Sequence, residues 1–255
     1  MQNIAPILEF DPAKSAVINP EYVVEKSADM PEGIVICFFA EAIEMILARY
    51  PHKQVGLMKA ESLRMPVYAL DYHGKQVGLV QAGVGAPVAA MQIEELTAMG
   101  GKKYLGCGSC GVLRQDIVVG HLIIPTAAVR DDGASYHYAA PSREMFADES
   151  AVKSIEATLD RLKVPYIEGK TWTTDAFYRE TPDKVERRKS EGCLCVEMEA
   201  ATYMAVAQFR GVKFGQILYA GDNLGGEEWD SRSFYEQHDV RARLLDVALE
   251  TCLEM

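Results

Sequence analysis

The sequence predicts an α/β protein: one domain built as a three-layer α/β/α sandwich around a mixed sheet. Three observations lead to this prediction. From residue 33 onward, short apolar runs alternate with helix-forming segments, glycines interrupt the chain just after several of the runs, and no internal repeat or linker divides it. Strands that repeatedly give way to helices are typical of a sheet covered by helices on both faces. A chain of 255 residues is long enough to bury such a core.

The first 32 residues differ from the rest of the chain. They contain Pro6, Pro12, Pro20 and Pro31 and show neither a helical nor a strand period. Prolines at this density interrupt regular structure. We therefore expect residues 1–32 to form an irregular arm over the surface and residues 33–255 to form the domain.

The elements of the domain follow in order from local pattern. Residues 34–39 are an apolar run typical of a buried strand, and a helix is expected from Glu41 to about Tyr50. The segments 67–73 and 76–82 flank His73-Gly74-Lys75, which predicts a hairpin. The remaining predicted elements are a helix over 88–99 with Pro87 in its first turn, strands over 103–107 and 118–124 (the latter ended by Pro125), a helix over 148–161, strands over 165–171 and 213–220, and a final helix over 238–253.

Two carboxylates interrupt the apolar segment 196–207. Its residues are good helix formers, so we expect one buried helix that carries both Glu197 and Glu199. An ionised carboxylate taken out of water costs several kcal/mol unless donors surround it. The vicinal hydroxyls of a ribose would offer two donors side by side. The segment is therefore a candidate sugar site.

Three strand ends broken by glycine are further candidates. Gly83-Val84-Gly85 and the segment 106–111, which contains Ser109, let backbone N–H groups approach an anion or a sugar. Each is equally explained as a tight turn. Asp222 follows the apolar strand 215–219, where α/β enzymes place acid–base groups, although an Asx turn is an alternative.

Composition excludes several classes of function. The net charge of −11 argues against a nucleic-acid partner, which needs clustered Lys and Arg. No stretch approaches the ~20 apolar residues of a membrane span, and the N-terminus lacks a signal pattern. The six cysteines show no disulfide spacing, so reduced thiols in a cytoplasm are expected. Cys107 and Cys110 form a C-x-x-C without a suitable second pair, and neither a metal nor a redox cofactor is predicted.

Six motifs in a fixed order resemble one family. They are Gly-Val-Gly-Ala-Pro at 83–87, Gly-Ser-Cys-Gly at 108–111, Arg-Asp-Asp-Gly-Ala-Ser-Tyr-His-Tyr at 130–138, Thr-Thr-Asp-Ala-Phe-Tyr at 173–178, Val-Glu-Met-Glu-Ala-Ala at 196–201 and Gly-Asp-Asn at 221–223. Over about residues 33–255 the chain resembles the nucleoside phosphorylases, a family that includes purine nucleoside phosphorylases, uridine phosphorylases and methylthioadenosine/S-adenosylhomocysteine nucleosidases.

The resemblance implies a nucleoside site. Glu199 would hold the ribose 2′- and 3′-hydroxyls, with Met198 packed on the sugar. Asp222 would donate a proton or a hydrogen bond to a purine N7, an acid that uridine-specific members usually lack. Trp172 would lie against the base, although a core tryptophan is the alternative. Glu197 and Val84 complete the implied substrate-binding set.

The resemblance also implies a phosphate site, with departures. Ser109 and Gly85 match phosphate-binding positions, and Arg64 lies near an arginine that reaches a neighbouring subunit's phosphate. The Gly-Asp-Pro-x-Arg of the phosphorylases is replaced by residues 37–42, which contain neither glycine nor arginine, and Gly106 stands where a second arginine is common. The nucleosidases place a water-activating glutamate in the first of these regions.

The sequence thus predicts cleavage of the N-glycosidic bond of a purine nucleoside. Phosphorolysis to the free base and ribose 1-phosphate is the first interpretation, with inorganic phosphate as co-substrate and no cofactor. Hydrolysis, with Glu41 or Glu44 near the water, is the alternative, although Glu44 is better explained as a solvated helix residue. A nucleoside-binding protein without turnover is the third. We expect a homo-oligomer, a dimer or a trimer of dimers, because Arg64 would act across a subunit boundary.

Overall fold

The computed structural model describes residues 5–255, so the first four residues of the expected arm lie outside it. Between Ala5 and Glu32 the only regular elements are two 3-10 helices, at Pro6–Leu8 and Pro20–Tyr22. Hydrogen bonds join this segment to the domain: the Ser27 N–H donates to the carbonyl of Met99 at 2.9 Å. Within residues 5–255, no helix combines the length and hydropathy that a membrane crossing requires.

Ten strands form one mixed sheet. In chain order they are β1 (Gly33–Cys37), β2 (His52–Lys59), β3 (Arg64–Tyr72), β4 (Lys75–Gln81), β5 (Lys103–Val112), β6 (Leu122–Asp131), β7 (Glu144–Phe146), β8 (Tyr166–Thr174), β9 (Cys193–Glu197) and β10 (Lys213–Asn223). The spatial order is β10-β6-β8-β9-β5-β1-β4-β3-β2, with β7 beside β6. Because β10 also pairs with β5, five strands close into a ring, and β1, β4, β3 and β2 extend from it as an open sheet.

Six helices cover the sheet. They are α1 (Ala40–Arg49), α2 (Ala86–Met99), α3 (Glu149–Leu162), α4 (Pro182–Ser190), α5 (Ala200–Arg210) and α6 (His238–Glu254). Helices α2 and α5 pack together over one apolar core, while α1, α3 and α6 pack over a second. Helices thus lie on both faces of a mixed sheet, which confirms the predicted α/β class.

Local chemistry explains where helices begin and end. Gly85 precedes α2 with a φ of +99°, a conformation that favours glycine, and Pro87 occupies the first turn as predicted. At the start of α3, the Asp148 carboxylate accepts the Ala151 N–H at 2.9 Å. These local signals are why the predicted starts of both helices lie within two residues of the observed ones.

Three predicted elements were wrong in extent or type. The strand expected over 103–107 continues to Val112. The strand expected to end at Pro125 instead runs from Leu122 to Asp131. Pro125 has no N–H to donate, and the pairing of this strand with β8 shifts register between Pro125 and Ala127, so the strand continues past the proline. The helix expected from residue 196 begins only at Ala200, since residues 193–197 form β9. Strands β2, β7 and β9 and helix α4 were not predicted.

Candidate active site

A cavity of about 820 Å³ opens where several strands end. Its walls come from the ends of β1, β4, β5, β9 and β10 and from the loops that follow β8 and β10. The predicted residues in its lining are Val84, Ser109, Glu197, Met198, Glu199 and Asp222. The closed ring of strands is what brings these distant segments together, because β5 lies between β9 and β10 and pairs with both.

Glu197 is held by the protein itself. Its carboxylate accepts the backbone N–H groups of Glu199 at 2.7 Å and Ala200 at 2.6 Å, and the Thr173 hydroxyl at 2.6 Å. N–H groups at a helix start lack partners within the helix, so Glu197 stabilises the junction of β9 and α5. Burial raises the pKa of Glu197, and the hydrogen bond from Thr173 opposes that effect.

Glu199 is buried, but its carboxylate can still accept hydrogen bonds from a ligand. Only 5% of it is exposed, and its carboxylate accepts one hydrogen bond from the described residues, from the Gly85 N–H at 2.6 Å. Burial raises the pKa of Glu199, the nearby charge of Glu197 raises it further, and the Gly85 N–H lowers it. A carboxylate has about four acceptor sites, so vicinal hydroxyls donating to Glu199 would relieve an unfavourable burial.

The glycine turn after β4 serves Glu199. The Gly85 N–H, expected at a phosphate, points at the carboxylate instead, and Gly85 is not part of the cavity lining. The neighbouring Val84 does line the cavity, with 67% of its surface exposed. This turn therefore orients the carboxylate of Glu199 and contributes an apolar wall.

Asp222 lies near the end of β10, where the register of the pairing with β5 shifts. Its Oδ2 accepts the indole N–H of Trp229 at 2.7 Å. Glu180, in the loop after β8, lines the same cavity. Burial raises the pKa of Glu180 to about 7, with a further contribution from the charge of Asp222. Two carboxyl groups therefore line this end of the cavity.

The cavity lining is acidic. Within residues 5–255, it includes no Lys, Arg or His. Aromatic rings form much of the rest, including Phe177, Tyr178 and Trp229. An anion in this cavity would need a cation from outside the lining or would meet uncompensated repulsion. The carboxylates are Glu180, Glu186, Glu197, Glu199, Asp222, Glu227 and Glu228.

Besides Gly85, two more predicted site residues lie outside the cavity lining. Trp172 is completely buried, and its indole N–H donates to Asp131 at 3.0 Å, so the expectation that it contacts the base is corrected to a core role. It lies on β8, with its ring packed under the guanidinium of Arg188. Arg64 is exposed at the start of β3, opposite Lys59, and does not line the cavity.

The positions that depart from the phosphorylase motifs have other neighbours. Phe38, just after β1, lines the cavity. Glu41 bonds to Arg241 at 2.6 Å and is not in the lining. Partial burial raises the pKa of Glu41, but the hydrogen bond from Arg241, the charge of Arg241 and the other hydrogen bonds to this carboxylate together leave the pKa lowered. Glu44 is exposed on α1. Neither glutamate is therefore placed to activate water in this cavity.

Sequence reasoning missed Phe38, Glu180, Gln216 and Trp229. Trp229 follows Gly225-Gly226 in a stretch without periodicity, and Glu180 lies in a loop between an aromatic pair and a proline. Gln216 looks like an ordinary interruption of an apolar strand. None of these positions carries a local pattern that distinguishes it from a surface or strand residue, because it is the closure of the sheet that brings them to the cavity.

The fold agrees with comparisons to known proteins. The family model described as "Phosphorylase superfamily" matches residues 33–254. The chain belongs to this superfamily. It is 31% identical over 196 residues to a DeoD-type purine nucleoside phosphorylase of Colwellia psychrerythraea, a match that covers 73% of this chain and 80% of the relative. It is 30% identical over 165 residues to a guanosine phosphorylase of Halorubrum lacusprofundi, covering 65% and 68%.

Solved structures share the fold. The uridine phosphorylase of Vibrio fischeri ES114 superposes with a TM-score of 0.75 at 22% identity, covering 91% of this chain and 95% of that one. The purine nucleoside phosphorylase of Toxoplasma gondii, in complex with immucillin-H, gives a TM-score of 0.72 at 20% identity, covering 88% and 92%. Enzymes with different named bases thus share this architecture, and the architecture alone does not distinguish a purine from a pyrimidine substrate.

Proposed function

We propose that this protein cleaves the N-glycosidic bond of a nucleoside, most readily a purine nucleoside. The observation that carries the proposal is the state of Glu199: a buried carboxylate in the wall of a cavity, with a single hydrogen bond from the described residues. A pair of adjacent hydroxyls would satisfy it. The match to the phosphorylase superfamily supports the same class of ligand.

Glu199 and Met198 form the sugar end of the proposed site. A ribose that donates its 2′- and 3′-hydroxyls to Glu199 would be held in one orientation, with Met198 beside its ring. Such positioning converts attack at C1′ into an effectively unimolecular step, which can supply several kcal/mol. Glu197 supports this end indirectly, because it holds the N–H groups of Glu199 and Ala200.

In this proposal Asp222 lies at the end of the site that holds the base. As the C1′–N bond breaks, its electron pair passes to the base, and a proton from an acid neutralises the charge that forms there. Asp222 is the proposed acid, and general acid catalysis typically contributes 10²–10⁴-fold. Glu180 is a second carboxyl in reach of this end, and its raised pKa suits a proton carrier at neutral pH. A purine N7 is an acceptor that a carboxylic acid can protonate.

Phosphate is the first candidate for the nucleophile. The relatives that are 30–31% identical are named as phosphorylases. A phosphate oxygen would form the new bond to C1′, giving ribose 1-phosphate and the free base. Ser109 lines the cavity and would donate its hydroxyl to phosphate. The required positive charge would come from Arg64 of a second copy of the chain, so activity by this route depends on a homo-oligomer.

Hydrolysis is the second candidate, and the acidic lining favours it. Water, unlike phosphate, is not repelled by the seven carboxylates of the cavity. In this route one water proton leaves to solvent or to a carboxylate, and the hydroxyl becomes the new C1′ substituent. The free sugar, instead of its 1-phosphate, would be the product.

One experiment tests both routes. The purified protein is incubated with inosine, guanosine, adenosine, methylthioadenosine and uridine, with and without inorganic phosphate, and the released base is measured chromatographically. Base release that requires phosphate supports phosphorolysis, and release without phosphate supports hydrolysis. Calorimetric binding of a nucleoside without any base release would reject cleavage and favour a binding protein.

A further inference from the structure

Gln216 is a buried amide without partners in the wall of the cavity. It lies in the middle of β10, is 2% exposed and belongs to the cavity lining. Within residues 5–255, neither its Oε1 nor its Nε2 has a hydrogen-bond partner. Two other side chains contain such an atom, Glu95 and Arg188, and neither lines the cavity. Buried polar groups are nearly always hydrogen-bonded, so this exception has a cause.

A glycine on the neighbouring strand makes room for Gln216. Gly106 pairs with Gln216 across β5 and β10, and a Cβ on Gly106 would lie 3.2 Å from the Gln216 Cγ. Two residues further along β5, a Cβ on Gly108 would lie 2.9 Å from the ring of Phe38. A neutral amide and a phenyl ring therefore form this part of the cavity, and the glycines beside them leave the space that these side chains occupy.

Strand register assigns Gln216 to the sugar end. Asp222 is six residues further along β10, about 20 Å of extended strand away. Val196 pairs with Gly111 in antiparallel fashion, so the chain beyond Val196 heads back toward Gly108 and Gly106. Glu199 follows the end of β9 by two residues and lines the same cavity as Gln216. The direction of β9 is therefore the basis for assigning the amide to the sugar end.

The amide limits the chemistry of its ligand. Gln216 offers one acceptor oxygen and two N–H donors and carries no charge. An O–H group, which both donates and accepts, can satisfy both atoms. A phosphate dianion has only one O–H and carries two negative charges, so it would be repelled by the carboxylates of the lining. The terminal amide torsion is broad, so the amide can turn toward a ligand at little cost.

We propose that Gln216 is a ligand-binding residue whose amide hydrogen-bonds an uncharged O–H oxygen at the sugar end of the cavity. This inference rests on the proposed nucleoside cleavage. The oxygen has two possible sources, a sugar hydroxyl of the nucleoside or an attacking water, and the two give different kinetic signatures.

The first measurement is thermal stability. Methionine resembles glutamine in length and flexibility, so Gln216→Met removes the unpartnered amide with little change in volume. The Tm of this variant is expected to equal or exceed that of the wild type. The matched control is Gln92→Met, at a glutamine that is also fully buried but donates to the Gln81 carbonyl at 2.9 Å and accepts the Tyr203 hydroxyl at 3.1 Å. Its Tm is expected to fall.

The second measurement is steady-state base release by Gln216→Met. A rise of at least tenfold in the nucleoside KM identifies a sugar hydroxyl as the bound oxygen, and a fall of at least tenfold in kcat at constant KM identifies water. The proposal is overturned if both constants stay unchanged, if only the phosphate KM rises, or if the Tm falls as it does for Gln92→Met. If the wild-type protein releases no base, the proposed function is contradicted instead. Calorimetry then tests Gln216 alone: Gln216→Met is expected to bind the nucleoside at least tenfold more weakly than the wild type.

Discussion

Glu197 accepts the backbone N–H of Glu199 at 2.7 Å, so one acidic residue of this pair holds the other in place. The side chain of Glu199 turns to Gly85, on a different segment of the chain, and remains in the cavity wall. Two carboxylates separated by one residue therefore have different tasks. The first completes the junction of β9 and α5, and the second is available to a ligand.

This division predicts that alanine at position 197 lowers the stability of the protein and that alanine at position 199 lowers its activity. Glu197→Ala leaves two backbone N–H groups and the Thr173 hydroxyl without their acceptor, which should cost about 2 kcal/mol and lower Tm by roughly 4–8 °C. Glu199→Ala should leave Tm within a degree or two but lower kcat/KM by at least about a hundredfold, since charge-assisted hydrogen bonds to two hydroxyls are lost. Calorimetry and base-release kinetics check both. Equal losses of Tm in the two variants would contradict the division.

Asp222→Asn is expected to slow purine nucleoside cleavage by 10²–10⁴-fold, because an amide cannot supply the proton for the departing base. Folding should be unaffected, since Asp222 is only partly buried and accepts a single hydrogen bond, from Trp229. Single-turnover rates on inosine measure the effect. The control is Asp230→Asn, on the exposed loop nearby. An unchanged rate for Asp222→Asn would remove this residue from the mechanism.

Glu180 should make the stability of the protein depend on pH. Burial and then the charge of Asp222 raise its pKa from 4.5 to about 7 in the folded protein. Between about pH 4.5 and 7 the folded state therefore holds a proton that the unfolded state has lost, so this group lowers the stability as pH rises through that window. Melting temperatures between pH 5 and 8 should fall less steeply in Glu180→Gln than in the wild type.

The control for this measurement is Glu186→Gln. Glu186 also lines the cavity, but it is exposed and paired with Lys189 at 2.6 Å. Its substitution should leave the slope of Tm against pH as it is in the wild type. If Glu180→Gln has the wild-type slope as well, the carboxyl at position 180 ionises normally in the folded protein.

Arg64→Ala should raise the phosphate KM by about tenfold or more if the reaction is phosphorolysis, because a lost charge-assisted contact is worth roughly 1.5–3 kcal/mol. The matched control is Lys59→Ala, the residue that pairs with Arg64 across the β2–β3 hairpin. Its loss should change the phosphate KM by less than twofold. Indifference of the phosphate KM to Arg64→Ala would favour the hydrolytic route.

Much of the fold was predictable because its signals are local. Gly85 and Pro87 define the start of α2, and the hairpin at His73-Gly74 needs a left-handed turn that glycine tolerates. The helix expected through Glu197 was wrong for the opposite reason. Val196 and Glu197 were placed in β9 by pairing with β5 and β8, and tertiary pairing outweighs the small differences in propensity between residues.

The residues of the candidate site likewise fall into those that the sequence indicates and those that only the tertiary structure places. By itself the sequence determined the α/β class, and it marked the acidic pair at 197 and 199 and the acid at 222 as candidates, since chemically unusual residues in apolar surroundings stand out along the chain. Only the tertiary structure decided that Trp172 belongs to the core, that Glu197 is satisfied by backbone N–H groups, and that Glu180, Gln216 and Trp229 reach the cavity. The physical reason is the pairing of β10 with β5, a contact between segments more than a hundred residues apart, which closes the ring and which no local pattern encodes.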